Sequence, residues 1–173
     1  MKEMNRTKLI ITGLVLVLLS LPVVADKPAP PVAEADKFQS GTSAFDAGQY
    51  TKARELWLPL AENGDARAQH AIGRLYEKGR GVERDFAQAF IWYQKAAQKG
   101  HADSEYRLAV GYATGLGIKK NEGEALSWLR KAANNDHKRA QKTLARAYEE
   151  GRFGLTADPG QAKYWYDKAN SGS

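Results

Sequence analysis

Laid against itself at a shift of 36 residues, the chain brings three segments into register: Ala68–Gly100, Ser104–Asp136 and Ala140–Ala169, the last with one extra residue in its loop. Tyr76, Tyr112 and Tyr148 coincide, as do Gly79, Gly115 and Gly151. Ala89 falls on Ala125 and Trp92 on Trp128, and Ala162 and Trp165 answer them at 37 because of the inserted residue. A repeat of this length constrains the fold more than composition does. Each unit is one supersecondary element that cannot cover its own apolar face, so the units must stack into a continuous core.

Each unit reads as two helices. Ala68, Ile72 and Tyr76 recur four apart and form one apolar stripe. Gly79 and Gly81 end that helix, since glycine takes the positive φ of a C-terminal cap without a side-chain clash. Asp85 and Asn121 are good N-caps for the second helix, and Asp158 followed by Pro159 is the same device. In that helix Ala89, Trp92 with Tyr93, and Ala96 supply the apolar face; Gly100 ends it and Asp103 is expected to start the next. Small alanines allow close helix approach, and the rings fill the gaps between layers. Tyr76, Tyr112, Tyr148, Trp92, Trp128 and Trp165 are therefore expected to be structural, as are Gly79, Gly115 and Gly151. Five of the six prolines precede residue 60, and no segment alternates as a half-buried strand does. A divergent unit, 37–65, precedes the clear ones; it lacks the Gly-x-Gly loop, and its Pro59 is expected to kink the second helix. The expectation is an all-α, right-handed α/α solenoid of about four helix-turn-helix units, divided at 37–65, 66–101, 102–137 and 138–173.

The N-terminus points to export. Lys2, Arg6 and Lys8 precede an apolar run from Leu9 to Leu21, and Val23-Val24-Ala25 offers small residues for cleavage after Ala25. Thirteen apolar residues fall short of the ~20 of a membrane-spanning helix. An uncleaved anchor is the alternative, since Leu9–Ala25 is apolar over seventeen residues. Residues 26–36, rich in Pro and Ala, read as an extended tether. With no cysteine, the chain carries neither disulfides nor a lipidated-cysteine anchor, and packing alone must stabilise it. The expected location is the periplasm or the medium, with no transmembrane segment after signal cleavage. The mature chain would have 23 basic and 19 acidic residues, net +4, spread without a basic stripe, so nucleic acid is not an expected partner.

The pattern Ala-x-x-x-Ile-Gly-x-x-Tyr-x-x-Gly-x-Gly-Val-x-x-Asp, then Ala-x-x-Trp-Tyr-x-x-Ala-Ala-x-x-Gly, running from Ala68 to Gly100, resembles the Sel-one-like repeat, a cousin of the tetratricopeptide repeat. Later units drift: Ala109 and Ala145 replace the first Gly, Leu129 replaces Tyr93 and Asp136 replaces Gly100. The resemblance implies an adaptor or scaffold, often an exported bacterial protein. Some cysteine-rich relatives are associated with β-lactam binding, an activity not carried over to a chain without those cysteines.

No catalytic, metal or cofactor constellation emerges from the residues. His101 and His137 lie one repeat apart in equivalent turns, too far to share a zinc, and His70 falls at a packing position. The Gly-x-Gly loops follow helices and lack the Lys-Ser/Thr of a phosphate loop. What remains is surface. On the first helix of each unit, positions 71, 74 and 78 and their equivalents are expected to face away from the core, lining a concave groove. Arg74, Lys78, Arg107, Val110, Thr143 and Arg146 are the candidate protein-binding residues, with the arginines suited to carboxylates. The expected function is a non-catalytic adaptor of the bacterial envelope. A hydrolase acting on cell-wall fragments or β-lactams, or a structural subunit of an envelope complex, is the alternative.

Overall fold

The computed structural model describes residues 32–171, which form eight helices in chain order: α1 (Val32–Asp46), α2 (Tyr50–Glu62), α3 (Ala66–Lys78), α4 (Phe86–Ala97), α5 (Ala102–Thr114), α6 (Glu122–Asn134), α7 (Lys138–Glu150) and α8 (Pro159–Ser171). The main helix–helix contacts are all between consecutive helices. The result is a row of four helix pairs, an α/α solenoid, with no strand among the described residues. Residues 1–25, read from the sequence as an export signal, lie outside them, and among them no helix is long and apolar enough to cross a membrane. Of the segment read as a tether, residues 26–31 lie outside the described residues and residues 32–36 are helical. Helix α1 begins at Val32, once Pro28, Pro30 and Pro31 are past and the helix formers Ala33, Glu34 and Ala35 follow.

The caps follow local chemistry. Asp85 accepts from the amides of Ala87 and Gln88, Asn121 from Glu124, and Asp158 from Gln161. Gly79, Gly115 and Gly151 end the first helices in the left-handed conformation. The second glycine of the α3–α4 and α5–α6 loops does something else. A Cβ on Gly81 would lie 2.7 Å from the Tyr50 carbonyl carbon, and one on Gly117 2.3 Å from the Phe86 oxygen. These glycines seat the loop on the first turn of the preceding unit's second helix, where any side chain would collide. One expected start was misplaced. His101, not Asp103, caps α5, through an Nδ1 that accepts the Ser104 amide, and His137 caps α7 by accepting the Ala140 amide. Helix α2 runs on through Pro59 to Glu62, although the proline has no N–H to give the Glu55 carbonyl.

Packing depends on size exchange across each pair. A Cβ on Gly73 would lie 2.7 Å from the Tyr93 ring, and one on Gly41 2.4 Å from Trp57 Nε1. Where the equivalent of Gly73 is Ala109, the opposing ring is replaced by Leu129, so the summed volume is kept. The fully buried first-helix layer is Ile72, Leu108 and Leu144. In the second helices the sequence reading needs correcting. Tyr93 is 4% exposed and Leu129 2%, whereas Trp92 and Trp128 are half-buried, each with a lysine (Lys95, Lys131) lying over its ring at 4.1 and 3.9 Å. Trp128 packs against buried clusters of two successive units and so acts as a spacer between them, while Trp165 is buried. Tyr76, Tyr112 and Tyr148 are also half-buried at the edges of the core.

Candidate functional site

The first helices of neighbouring units do not close on one another, and a notch stays open between them. Between α3 and α5 it has a volume of about 80 Å³, with Phe86, Phe90 and Tyr93 of α4 as its floor, Glu77 on one side, and Arg107, Val110 and the half-exposed Leu116 on the other. One repeat along, between α5 and α7, a second notch of about 40 Å³ is lined by Ala113, Ala125, Leu129, Thr143 and Phe153. These are the positions of Glu77, Ala89, Tyr93, Arg107 and Leu116 advanced by one unit. Val110 borders both notches. Backbone requirements shape them: Gly111 leaves room for the Phe90 ring, whose edge would stand 3.1 Å from a Cβ there, and Phe153 enters the second notch from a left-handed turn at φ 56°.

Charge distinguishes the two. In the first notch the Tyr93 hydroxyl donates to Glu77 Oε2 at 2.6 Å, while Arg107 and Lys78 reach Oε1 at 3.3 and 3.0 Å. Burial opposes the charge on Glu77, but these three donors outweigh it and hold its carboxyl below the usual range. Burial, then the Glu77 carboxylate, pushes the Tyr93 phenol up. The second notch has no such group; Ala113 and Leu129 stand in place of Glu77 and Tyr93. A third, polar cavity of about 260 Å³ lies at the starts of α5 and α7, lined by Asp103, Tyr106, Arg107, His137, Lys138 and Arg139. Arg107 is shared with the first notch and Tyr106 with the second, so all three cavities surround one face of α5.

Of the residues expected in the groove, Arg107 and Val110 line the first notch and Val110 and Thr143 the second. Arg74, Lys78 and Arg146 line neither. Arg74 lies over the Phe45 ring at 5.4 Å, Lys78 is spent on Glu77, and Arg146 stands beside the Tyr166 hydroxyl. Position 71 is not outward-facing at all, since Ala71 belongs to the buried core. The arginines thus have three separate surroundings and form no single cluster. The sequence reading missed Glu77 and Leu116 and assigned Tyr93 to the core alone; the signal for Glu77 and Tyr93 was that Ala113 and Leu129 replace them one repeat later.

The histidines occupy the unit junctions. The His70 and His101 rings stack with centroids 4.6 Å apart, and Ser104 Oγ sits between them, 2.9 Å from His70 Nδ1 and 3.2 Å from His101 Nδ1. Because His101 Nδ1 accepts the Ser104 amide, the Ser104 hydroxyl donates to it too, and His70 Nδ1–H donates to Ser104 Oγ. At the next junction Tyr106 takes the place of His70 and stacks on His137 at the same 4.6 Å, and His137 Nε2 meets Asp103 at 3.2 Å. Among the described residues no group of three or more His, Asp or Glu side chains is placed to hold a metal ion.

Tandem helix pairs stacked through small-residue contacts, the last three each joined by a loop that opens on a left-handed glycine, define an α/α repeat solenoid. The Sel1 repeat profile matches residues 66–101, 102–137 and 139–172, and the chain belongs to the Sel1 repeat family. Two solved structures are similar to it. A Sel1 repeat protein from Oxalobacter formigenes is 35% identical with a TM-score of 0.73, covering 78% of this chain and 53% of its own. A protective antigen present in uropathogenic Escherichia coli strains, displaying an SLR fold, is 34% identical with a TM-score of 0.74, covering 81% of this chain and 31% of its own. The chain thus spans about half of one relative and a third of the other. No curated protein matches the sequence. Sel1 repeat proteins are generally protein-interaction scaffolds and typically non-catalytic.

Proposed function

We propose that this chain is a non-catalytic adaptor of the bacterial envelope that holds a segment of another protein across α5. The observation that carries this reading is the position of Val110, which borders two apolar notches one repeat apart. A segment laid across α5 can insert one apolar side chain into each notch, with its polar groups against Arg107 at the first. Recognition by an exposed helix face with alternating recesses is a common mode of peptide binding. Export is supported by the basic residues Lys2, Arg6 and Lys8 ahead of the Leu9–Leu21 run.

A photo-crosslinking residue placed in cells at Val110 or Leu116 tests the groove, with exposed Ser127 on α6 as control. A discrete protein adduct from Val110 and Leu116 but not from Ser127 is expected. Adducts of equal yield from all three, or from Ser127 alone, would overturn the assignment. N-terminal sequencing of the exported chain is expected to begin at Asp26, and an intact Met1 in the membrane fraction would show an anchor instead.

A further inference from the structure

The loop between α3 and α4 rests directly on the start of α2, where Gly81 abuts the Tyr50–Thr51 peptide. This seating lays Arg80 over the Tyr50 ring at 5.0 Å. It also brings Arg84 to a cleft shared with Arg54, one turn further along α2. The cleft has a volume of about 750 Å³ and is also lined by Tyr76, Val82, Glu83 and Asp85.

Arg54 is out of place by the logic of the repeat. At shifts of 36 it stands where Phe90 and Leu126 stand in the next two units. Phe90 is buried and meets Tyr112 edge-on at 5.1 Å, and Tyr76, the equivalent of Tyr112, lines the cleft beside Arg54. A cation therefore occupies the place of an aromatic core residue. Its Nε is buried without a hydrogen-bond partner. Among the described residues the ion pairs engage other cations, and none includes Arg54, Arg80 or Arg84. Glu83 and Asp85 share the cleft, yet neither comes within ion-pair distance of an arginine, and Asp85 is occupied in capping α4. A buried donor left without an acceptor opposes folding, whereas Phe or Leu at this position would add to the core. Nε is closed to solvent as well, so an outside acceptor would meet Arg54 at its terminal nitrogens, which are not among the buried unpartnered atoms of the described residues; positions that break the local rule in this way tend to be functional sites.

We propose that this cleft is an oxyanion-binding site, in which Arg54 and Arg84 grip a phosphate or carboxylate group. Guanidinium groups suit either, because their planar donors match two oxygens at once. The cleft meets the first notch at Phe86, which lines both, but Arg54 and Arg84 line the cleft and not the notch, so the failure of either reading leaves the other standing.

The test is thermal unfolding of the mature chain in chloride, in inorganic phosphate and in citrate, all at one ionic strength. Wild type is expected to gain about 3–6 °C in the matching anion at ten times its Kd. A gain in phosphate alone assigns a phosphate ligand, and one in citrate alone a carboxylate; a gain in both assigns a general oxyanion site. Arg54→Phe is expected to melt at or above wild type in chloride and to lose the gain, which separates binding from the general salting effect of these anions. Arg84→Gln is expected to keep its melting point in chloride and to weaken the gain. No gain over chloride, or an undiminished gain in Arg54→Phe, would overturn the proposal. So would Arg54→Phe and Arg54→Leu both melting well below wild type in chloride.

Discussion

Acid should loosen this protein through His70 before its carboxylates titrate. Burial drives the His70 pKa down from 6.5 to about 3, helped by the charges of His101, Arg74 and Arg107 and opposed by Asp103. The ring is packed against Tyr93 at 5.4 Å and His101, and donates to Ser104, so the fold holds it neutral. In the unfolded chain the same imidazole titrates near 6.5. Its contribution is therefore fully present above pH 6.5 and is lost as pH falls toward the folded value. At pH 5 the unfolded state has gained the proton and the folded state has not, a loss of about 1.5 units at 1.36 kcal/mol each, or roughly 2 kcal/mol. With a slope of ~2 kcal/mol/M, the urea midpoint should drop by roughly 1 M between pH 7 and pH 5. Asp65 and Glu77, whose carboxyls are held below 3.8 and 4.5, remain ionised over that interval and add little. The comparison is His70→Tyr, since Tyr106 fills the equivalent place and stacks on His137 in the same way. This variant should lose most of the midpoint shift, leaving the smaller share from His101, whose pKa burial also lowers. If wild type and His70→Tyr shift by the same amount, His70 is not held neutral and the reasoning fails.

Glu105 is 3% exposed, and its carboxylate accepts only from Asn135 Nδ2, whereas Gln69 and Gln141 at the equivalent positions donate to the Ala61 and Ala133 carbonyls. Glu105→Gln should donate likewise and stabilise by ~1 kcal/mol in urea unfolding; a loss of stability would show the carboxylate–Asn135 contact to be the better arrangement. Gly117→Ala should cost more than ~2 kcal/mol, because its Cβ meets the Phe86 carbonyl oxygen at φ +78°, and Gly154→Ala only ~1 kcal/mol, with open space around φ +75°. Equal melting of the two variants would contradict the seating of the loop. Tyr93→Ala should cost ~3–5 kcal/mol and Trp92→Ala distinctly less, since Tyr93 is the buried ring; the reverse order would restore the tryptophan to the core.

The helix pairs, the aspartate and asparagine caps and the first glycine of each loop were legible in the sequence because each depends on neighbours within four residues. Which ring of the Trp92-Tyr93 pair turns inward was not legible. Both lie within the apolar arc, and the choice falls to Gly73 across the pair, which leaves a recess that Tyr93 fills. Asp103 is an ordinary residue for a helix start, but His101, two residues earlier, caps instead, because the stacked His70 and Ser104 hold its Nδ1 toward the helix. The groove was legible only in part. Val110 and Arg107 follow from helix spacing, but Glu77, Tyr93 and Leu116 come from three different elements. Arg54 falls in register with Phe90 and Leu126 in the sequence, but an arginine in an end unit reads as solvated surface until the structure shows its Nε buried without a partner.

The most direct test of the groove is a calorimetric titration of the partner crosslinked at Val110 against wild type and Val110→Arg. The arginine would stand on the rim that the two notches share, adding bulk and charge there, while leaving the core layer of Leu108 and Leu144 intact. The account predicts that Val110→Arg melts close to wild type, within ~0.5 kcal/mol for a partly exposed position, and binds at least about tenfold more weakly. Equal affinity in a folded variant would place the binding surface elsewhere on the solenoid and contradict the account.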